Sequence, residues 1–242
     1  LDGAPQAPRR SAGGPDGAVD LPRAALGDRA AGRGARRRGR PCSRLDTGRL
    51  HGVQELAGPR LRNPDGSLQR SVRGFPTLWR IATEYLFLRK IAPRSSLLNA
   101  YYGAGFRHDA RRDVESLYGA ALLVRREAAD AVGLFDEDFF MFSEETDWLY
   151  RFHQAGWRVV FVPEAEAVHV GAATHGGRLY VENLRGILRF LAKHRGLREA
   201  DRARRLLLLA LRVRALLFIG ERRRLYREGA RLLASGRVET LL

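Results

Sequence analysis

The chain has 242 residues, of which 45% are hydrophobic, so it can bury one sizeable core or two small ones. Its single cysteine, Cys42, excludes an intrachain disulfide framework and suits a reducing cytoplasm. The start of the sequence shows no signal-peptide pattern, and no charge-free apolar run reaches about 18 residues, so we do not expect a membrane-spanning helix.

The formal net charge of +16 raises three classes of partner, which are nucleic acid, anionic lipid and phosphorylated substrates. Nearly all of the cations are arginines, since Lys90 and Lys193 are the two lysines. The charge is spread along the chain, without the interleaved aromatic residues that stack on single strands. We therefore expect no nucleic-acid partner.

The first 44 residues differ in composition from the rest of the chain. They consist mostly of Ala, Gly, Pro and Arg and contain no aromatic residue. Such a segment cannot bury enough apolar surface to offset the entropy of ordering it, which predicts disorder. The same residue types arise when GC-rich codons are read in a wrong frame. We assign residues 1–55 to a disordered or frame-shifted segment, and both interpretations stay open.

Ordered structure is predicted from about residue 56. Asn63-Pro64-Asp65-Gly66 has the composition of a tight turn, because Pro presets φ and Gly accepts a positive φ. The segments on either side therefore predict a hairpin. A helix is expected from Thr77 to about Leu88. The short apolar run from Tyr118 to Val124 predicts a strand.

Two short helices are expected next. Arg126 to Val132 predicts a helix that ends at Gly133. The following helix opens on three carboxylates, with Ser143 as the predicted N-cap and the helix dipole favouring negative charge in the first turn. A strand from Trp157 is expected to stop at Pro163 and to precede a second short strand or turn.

Beyond residue 177 the pattern predicts only helices. Leu184, Ile187, Leu188 and Leu191 share one face of the first. The last segment is very rich in Leu and Arg, and Arg212 and Arg214 interrupt its apolar run. Two interpretations stay open for it, namely a helix that lies along a membrane surface and an ordinary amphipathic packing helix.

Two acidic clusters compete for a functional role. Asp136-Glu137-Asp138 has the D-x-D spacing that can hold a divalent metal through carboxylate oxygens, but its position also suits a turn with solvated carboxylates. The second cluster, Glu144, Glu145 and Asp147, lies at the start of a helix beside Trp148. Three carboxylates so close together repel one another, which makes a use for the charge plausible.

The second cluster lies within a longer segment, GAALLVRREAADAVGLFDEDFFMFSEETDWLYRFHQAGWRVVFVPEAEAVHVGAAT. This segment is similar to the acceptor half of family 2 glycosyltransferases, particularly the bacterial rhamnosyltransferase-like branch. In that family a Gly-Ala strand, a turn like VGGFDExFF, an acidic helix start, AGW, a strand and a VxH element follow in this order. Weaker similarity extends on both sides and brings the resemblance to roughly half of the chain.

The resemblance implies roles for particular residues. The family's catalytic base falls on Glu145, and its metal-binding histidine falls on His169, which would ligate Mg²⁺ or Mn²⁺ against the donor diphosphate. Other positions match the acceptor pocket and the strand beneath the donor sugar. The pocket residues are Glu144, Asp147 and Trp148, and the donor-sugar residues are Gly119 and Ala120.

The implied reaction is an inverting transfer. One carboxylate accepts the proton of the acceptor hydroxyl as that hydroxyl attacks the anomeric carbon. The helix dipole lowers the basicity of such a carboxylate, whereas neighbouring carboxylates and burial raise it. From the residues alone, the balance between these effects stays open.

The chain departs from the family pattern at its start. The family's donor half begins with an apolar strand and supplies a metal-binding D-x-D, and neither can be found in residues 1–58. We therefore expect an α/β fold that is a partial GT-A (Rossmann-like) domain over residues 56–196, followed by a helical, Arg/Leu-rich extension over residues 197–242.

The expected function is transfer of a sugar from a nucleotide-diphosphate donor to a cell-surface glycan or lipid-linked acceptor. The expected location is the cytoplasm, peripheral at the inner face of the cell membrane. The alternative is a non-catalytic remnant or a membrane-associated binding module, in which the donor site is incomplete.

Overall fold

The computed structural model describes residues 56–99, 101, 106–170 and 177–242. Within these residues it contains seven β-strands and seven α-helices, which confirms the predicted mixed α/β fold with a helical C-terminal region. The prediction for residues 1–55 lies outside the described residues. The domain boundaries after residues 55 and 196 stay predictions.

The strands form one main sheet and one separate pair. They are β1 (Leu56–Arg62), β2 (Leu68–Gln69), β3 (Val72–Arg73), β4 (Arg112–Asp113), β5 (Ser116–Leu117), β6 (Leu123–Val124) and β7 (Val159–Val168). The main sheet has the order β2-β1-β7-β4, with β6 also paired to β1, and β3 pairs with β5. Its centre is the parallel pair β1 and β7, and its other pairs are antiparallel.

The predicted hairpin is confirmed. Leu61 pairs with Gln69 and Arg62 with Leu68, and the Gly66 N–H donates to the Asn63 carbonyl over 2.9 Å. Gly66 has a φ of 83°, which only glycine adopts without strain. The turn therefore fixes the register of β1 against β2.

The predicted end of a strand at Pro163 is wrong, because β7 continues through it to Val168. The pairing with β1 shifts register between Pro59, opposite Val162, and Arg60, opposite Glu166. Residues 163–165 therefore bulge away from the ladder. Proline has no N–H to donate to a neighbouring strand. Because residues in the bulge make no ladder hydrogen bonds, the strand can continue past Pro163.

The strand predicted from Tyr118 to Val124 is also wrong over most of its length. Strand β5 ends at Leu117, and the chain turns over residues 119–121 before the two-residue strand β6. The Tyr118 N–H still donates to the Ser71 carbonyl over 3.0 Å. Small side chains at the turn leave the backbone exposed there, so the apolar run contributes a surface turn between two short strands.

The helices are α1 (Leu78–Tyr85), α2 (Leu88–Ile91), α3 (Arg126–Val132), α4 (Glu144–Gln154), α5 (Gly177–Arg195), α6 (Leu197–Leu217) and α7 (Gly220–Ala234). The predicted limits of α3 are confirmed, and Gly133 ends it with a φ of 83°. The helix predicted over residues 77–88 divides into α1 and α2, because Phe87 between them is left-handed with a φ of 61°.

The main core lies between the sheet and the helices. Alternate side chains of β7 point to opposite faces of the sheet. Val159 and Phe161 join the main core, whereas Val160 and Val162 belong to a smaller buried cluster. The four leucine and isoleucine residues predicted on one face of α5 are all buried. Helix α6 packs against α1, α5 and α7.

Arg214 contributes to this core, which at this position favours the packing-helix interpretation. It is buried, and it donates from Nη2 to the Glu84 carbonyl and from Nε to the Tyr85 carbonyl, each over 2.7 Å. Its guanidinium also lies 4.2 Å from the centre of the Phe87 ring. Arg214 therefore satisfies carbonyls at the C-terminal end of α1 and joins that helix to α6. Arg212, by contrast, is exposed.

Replacing Arg214 by Gln is expected to lower the free energy of unfolding by about 2–4 kcal/mol, because two buried carbonyls lose their charged donor. Arg212→Gln is the matched control and is expected to change it by no more than about 0.5 kcal/mol. Chemical denaturation of both variants measures the difference. Equal stability of the two variants would contradict a structural role for Arg214.

Candidate active site

The helix that carries the acidic cluster begins in an unusual backbone conformation. Phe142 and Ser143 both have left-handed φ values, 67° and 70°, directly before α4. Ser143 occupies the N-cap position, but its side chain makes no capping hydrogen bond, so its predicted capping role is wrong. The left-handed backbone is the reason, because an N-cap residue normally adopts the β region when its hydroxyl accepts from the first turn. Two consecutive strained residues of this kind are characteristic of functional sites.

A glycine on α5 allows this segment to pack closely. A Cβ atom added to Gly186 would lie 2.7 Å from the Phe142 carbonyl oxygen and 2.9 Å from Ser143 Oγ. No side chain larger than hydrogen fits without moving that backbone. Gly186 therefore helps to determine where α4 starts, and with it the position of Glu145.

Glu145 lies in surroundings that raise the basicity of its carboxylate. Its Oε2 atom is buried and has no hydrogen-bond partner among the described residues. Burial raises the pKa of Glu145 to about 7, and the neighbouring Glu144 carboxylate adds to the rise. The backbone N–H groups of Glu145 and Thr146 and the charge of Arg73 act in the opposite direction but are weaker. Desolvation thus raises the pKa more than the backbone N–H groups at the start of the helix lower it. A carboxylate with a pKa near neutral pH is well suited to proton transfer.

The surface beside Glu145 is the turn that follows β5. A Cβ atom added to Gly119 would lie only 3.3 Å from Glu145 Cβ, so the absence of a side chain at Gly119 lets the Glu145 side chain pack directly against this turn. Gly119 and Ala120 are both exposed. The structure therefore brings Glu145 and Gly119 together, in a turn where a strand was predicted.

An arginine and two tyrosines also lie near Glu145. Arg73 donates to the Tyr118 hydroxyl, and its guanidinium lies 4.2 Å from the Tyr118 ring centre and 5.9 Å from that of Tyr101. Burial raises the pKa of Tyr101, and the charge of Glu145 contributes to this rise. The arrangement places a cation and two aromatic faces close to the candidate base.

Glu144 and Trp148 lie one helical turn apart and differ in their surroundings. Burial raises the pKa of Glu144, and its buried Oε2 has no hydrogen-bond partner within the described part of the chain. Trp148 is buried, and its indole N–H donates to the Gly133 carbonyl over 2.6 Å. Glu144 can therefore accept a hydrogen bond from a ligand, whereas Trp148 supports the helix from inside.

Asp147 is fully buried and is contacted by three basic side chains. Its carboxylate bonds to Arg151 Nε over 2.9 Å, to Lys193 Nζ over 2.8 Å and to His194 Nε2 over 2.7 Å. Burial alone would raise the pKa of Asp147, but hydrogen bonds from His194, Lys193 and Arg151 outweigh burial and lower it to about 2. Asp147 is thus placed in the core between α4 and α5, and it acts on the site by holding the helix.

The first acidic cluster forms part of the same framework. Asp136 bonds to Lys193 over 2.6 Å, and its other oxygen accepts from the Asp138 N–H over 3.0 Å. The side-chain hydrogen bond from Lys193 lowers the pKa of Asp136. This geometry is that of a turn anchored by an ion pair, which is closer to the turn interpretation than to the metal interpretation.

His169 follows β7 and is oriented by a glutamine. Its Nδ1 lies 2.7 Å from Gln69 Oε1, and its backbone N–H donates to the Arg62 carbonyl over 3.0 Å. Gln69 is itself oriented, since its Nε2 donates to Asn63 Oδ1 over 2.8 Å. The glutamine oxygen therefore accepts a hydrogen bond from Nδ1–H, and in this neutral tautomer the lone pair is on Nε2.

This arrangement fits a metal ligand, because ligating histidines usually donate their second ring N–H to an oxygen acceptor. No group of three potential ligands among His, Cys, Asp and Glu occurs in the described part of the chain. His169 can thus supply one ligand to a divalent cation, and the remaining ligands would come from elsewhere, such as a bound diphosphate.

A short segment, residues 69–73, connects the surroundings of His169 with those of Glu145. Gln69, which contacts His169, and Arg73, whose charge acts on Glu145, are four residues apart. Their Cα atoms can be at most roughly 14 Å apart, given about 3.6 Å per residue. Residues 69–73 therefore extend from the histidine to the surroundings of the base.

Sequence reasoning missed Arg73, Tyr101, Tyr118 and Gln69. Arg73 precedes Glu145 by 72 positions in the sequence, and no local pattern connects them. The one available signal was the weak family similarity around residues 58–71, which ends just before Arg73. The pairing of β3 with β5 brings Arg73 beside Tyr118 and the surroundings of Glu145.

The relatives of the chain support the predicted resemblance. Two curated proteins match it, both named N-acetylglucosaminyl-diphospho-decaprenol L-rhamnosyltransferase, from the Mycobacterium tuberculosis strains CDC 1551 / Oshkosh and ATCC 25618 / H37Rv. Each is 40% identical to this chain over 119 residues. The chain is similar to rhamnosyltransferase-type glycosyltransferases.

The match with these rhamnosyltransferases is partial. It covers 49% of this chain and 38% of each relative. That coverage agrees with a resemblance to one half of the transferase domain. No protein-family model matches the chain.

Glu145 and Asp147 are expected to affect stability with opposite pH dependence. The pKa of Glu145 rises from 4.5 to about 7 on folding, so wild type loses stability as pH rises through this range. Glu145→Gln has no carboxyl group to titrate and does not lose this stability. Its free energy of unfolding relative to wild type should therefore increase by up to about 3 kcal/mol as pH rises through the range. The stabilisation from Asp147, whose pKa falls from 3.8 to about 2, is present above pH 3.8 and lost on acidification. Denaturation at several pH values tests this, and a pH-independent effect of Glu145→Gln would contradict it.

Gly186→Ala is expected to destabilise the protein by about 1–3 kcal/mol, because the new methyl group meets the backbone of Phe142. Gly229→Ala on α7 is the matched control, since its methyl group would meet mainly side chains, at 2.9–3.2 Å, that can move. Thermal denaturation compares the two variants. If Gly186→Ala were as stable as wild type, the close approach would not constrain the start of α4.

Proposed function

We propose that the chain forms the acceptor side and carries the catalytic base of an inverting family 2 glycosyltransferase. The enzyme moves a sugar from a nucleotide-diphosphate donor to a lipid-linked glycan. The observation that carries the proposal is Glu145, a carboxylate whose buried Oε2 has no hydrogen-bond partner among the described residues, whose pKa is about 7, and which packs against the exposed turn at Gly119. Since the chain spans only 38% of each matched relative, the activity of the whole protein is part of the proposal.

In the proposed reaction, the acceptor hydroxyl attacks the anomeric carbon of the donor sugar from the face opposite the diphosphate. The new glycosidic C–O bond forms while the bond from that carbon to the diphosphate oxygen breaks, and the nucleoside diphosphate leaves with the electron pair. Glu145 takes the hydroxyl proton. Glu144 helps to keep Glu145 basic, because two adjacent carboxylates are unfavourable when both are ionised.

Gly119 and Ala120 are the proposed floor for the donor sugar, since a turn without large side chains lets the sugar approach Glu145. Arg73 is close enough to influence the charge of Glu145, and the neighbouring Tyr118 offers an aromatic face to a sugar ring. Asp147 and Trp148 are assigned positioning roles, because both are buried and hold α4 in place.

His169 is the proposed protein ligand of Mg²⁺ or Mn²⁺. The cation, when bound, neutralises charge on the departing diphosphate. Gln69 Oε1 accepts a hydrogen bond from His169 Nδ1, so that in the neutral ring Nε2 is the nitrogen left to bind the cation. We assign the remaining ligands to the diphosphate and to residues other than the described ones.

The acceptor class comes from the relatives. The name N-acetylglucosaminyl-diphospho-decaprenol L-rhamnosyltransferase describes a sugar attached through diphosphate to a long isoprenoid alcohol. We propose an acceptor of the same class for this chain, and an L-rhamnose-type donor sugar. A lipid-linked acceptor also supports a location at the inner face of the membrane.

Glu145→Gln is expected to lower the rate of sugar transfer by about 10²–10⁴-fold, because glutamine cannot accept the proton. The wild-type rate should fall about tenfold for each pH unit below 7. Glu144→Gln is the matched control. It retains the base, and its pH profile shifts toward acid because a neighbouring negative charge is gone. Transfer to a lipid-diphosphate-linked sugar, followed from pH 5 to 8, measures both effects.

Donor binding gives an independent test. Calorimetric titration with a nucleotide-diphosphate sugar should show saturable binding that depends on Mg²⁺ and is preserved in Glu145→Gln. His169→Ala should weaken the metal dependence. No donor binding would favour a non-catalytic remnant, and preserved transfer by Glu145→Gln would exclude Glu145 as the base.

A further inference from the structure

The exposed face of α6 changes in character along the helix. Its first half presents Arg198, Arg202 and Arg205, and its second half presents large apolar side chains instead. The exposed apolar residues of this half are Leu209, Val213, Leu216 and Leu217. The spacing of these positions places them on one side of the helix, opposite the face that packs on α1, α5 and α7.

The apolar face continues past the end of α6. Leu216 is 80% exposed, Leu217 67% and Ile219 84%. Phe218 between them turns inward, where its ring lies 5.8 Å from Phe87 and 5.5 Å from Tyr226. This aromatic contact holds the α6–α7 connection in place and leaves its neighbours projecting outward.

A second chain segment adds to the same surface. Phe87, which contacts Phe218, immediately precedes α2, and Ile91 at the end of this one-turn helix is 75% exposed. We refer to Ile91, Leu216, Leu217 and Ile219 as the apolar tip. The Phe87–Phe218 contact joins two segments that are more than 100 residues apart, and each of them carries large exposed apolar side chains close in sequence to that contact, an exposure characteristic of a contact surface.

Cations surround the apolar tip. Lys90 Nζ lies 4.8 Å from the Phe87 ring centre, and the Arg222 guanidinium lies 5.8 Å from that of Phe218. Arg212 is exposed on the same side of α6 as Leu216. Glu221 is the exposed carboxylate nearest in sequence, so positive charge exceeds negative charge around the tip.

We propose that the apolar tip and its cations, Lys90, Arg212 and Arg222, dock the protein on an anionic lipid membrane. The four apolar side chains enter the boundary between headgroups and acyl chains, and the cations bind the headgroups. No helix among the described residues is both long and apolar enough to cross a bilayer. The proposal goes beyond the sugar transfer reaction and does not require it.

Charge favours a membrane over a second copy of the chain. In a two-fold dimer through the tip, the cations of one copy would face the same cations of the other, and like charges at a contact repel. An anionic membrane offers opposite charge at the rim and hydrocarbon at the centre. It therefore matches both parts of the surface.

The test is flotation of the full chain with vesicles. Wild type should bind vesicles of mixed phosphatidylglycerol and phosphatidylcholine and should bind phosphatidylcholine vesicles weakly. Replacing Leu216, Leu217 and Ile219 by Ser should weaken binding about tenfold or more, because less apolar area enters the lipid. Arg212→Glu with Arg222→Glu should weaken it roughly 25-fold or more, since each cation near the surface contributes about fivefold and the substitution also reverses its charge.

Arg198→Glu with Arg202→Glu is the matched control, because it makes the same change in net charge near the opposite end of α6. This variant should bind within about threefold of wild type, and all variants should keep the wild-type melting temperature. Equal loss in the control would overturn the proposal in favour of non-specific attraction. Absence of wild-type binding to anionic vesicles would also overturn it, as would a dimer in sedimentation that the serine variant abolishes. Sugar transfer to a water-soluble acceptor should be unchanged in the serine variant, so a failure of docking is separable from a failure of the proposed reaction.

Discussion

The geometry of the site depends on one buried carboxylate. Asp147 lies inside the protein with bonds to Arg151, Lys193 and His194, and these residues belong to both α4 and α5. Arg151 also donates to the Val132 carbonyl, so the same network holds the segment that leads into α4. Removal of a single partner from a network of this kind leaves a buried charge uncompensated, which makes the arrangement of helix and loop cooperative.

Because Asp147 holds one side of α4, the other side is free to carry chemistry. Glu145 is two positions away and therefore points in a nearly opposite direction on the helix. The two carboxyl groups have pKa values of about 2 and about 7, although they belong to the same helical turn. Hydrogen bonds from His194, Lys193 and Arg151 account for the low value and desolvation for the high one. A carboxylate that is always charged thus supports one that can exchange a proton near neutral pH.

The large positive charge of the chain serves several purposes. Arg214 joins α6 to α1 by binding carbonyls, and Arg80 forms two contacts of 2.6 Å with Glu115, which anchors α1 beside β5. These arginines act as structural donors and are not available to a partner. The exposed cations near Phe218 differ, since they lie beside side chains that the fold leaves uncovered. Net charge alone therefore does not identify a binding surface, and its distribution around apolar residues does.

The order and type of most elements were determined by the sequence, because helical periodicity, turn residues and glycine stops are local signals. The hairpin at Gly66, helix α3 and the buried face of α5 follow from them. The family similarity also singled out Glu145 and His169. Tertiary structure alone decided that Pro163 lies in a bulge, that Ser143 is left-handed, and that Asp147 is a buried anchor. It also decided that Gln69 orients His169 and that Arg73 approaches Glu145. Burial and pKa depend on which distant segments pack together, and these contacts join residues that no local pattern connects.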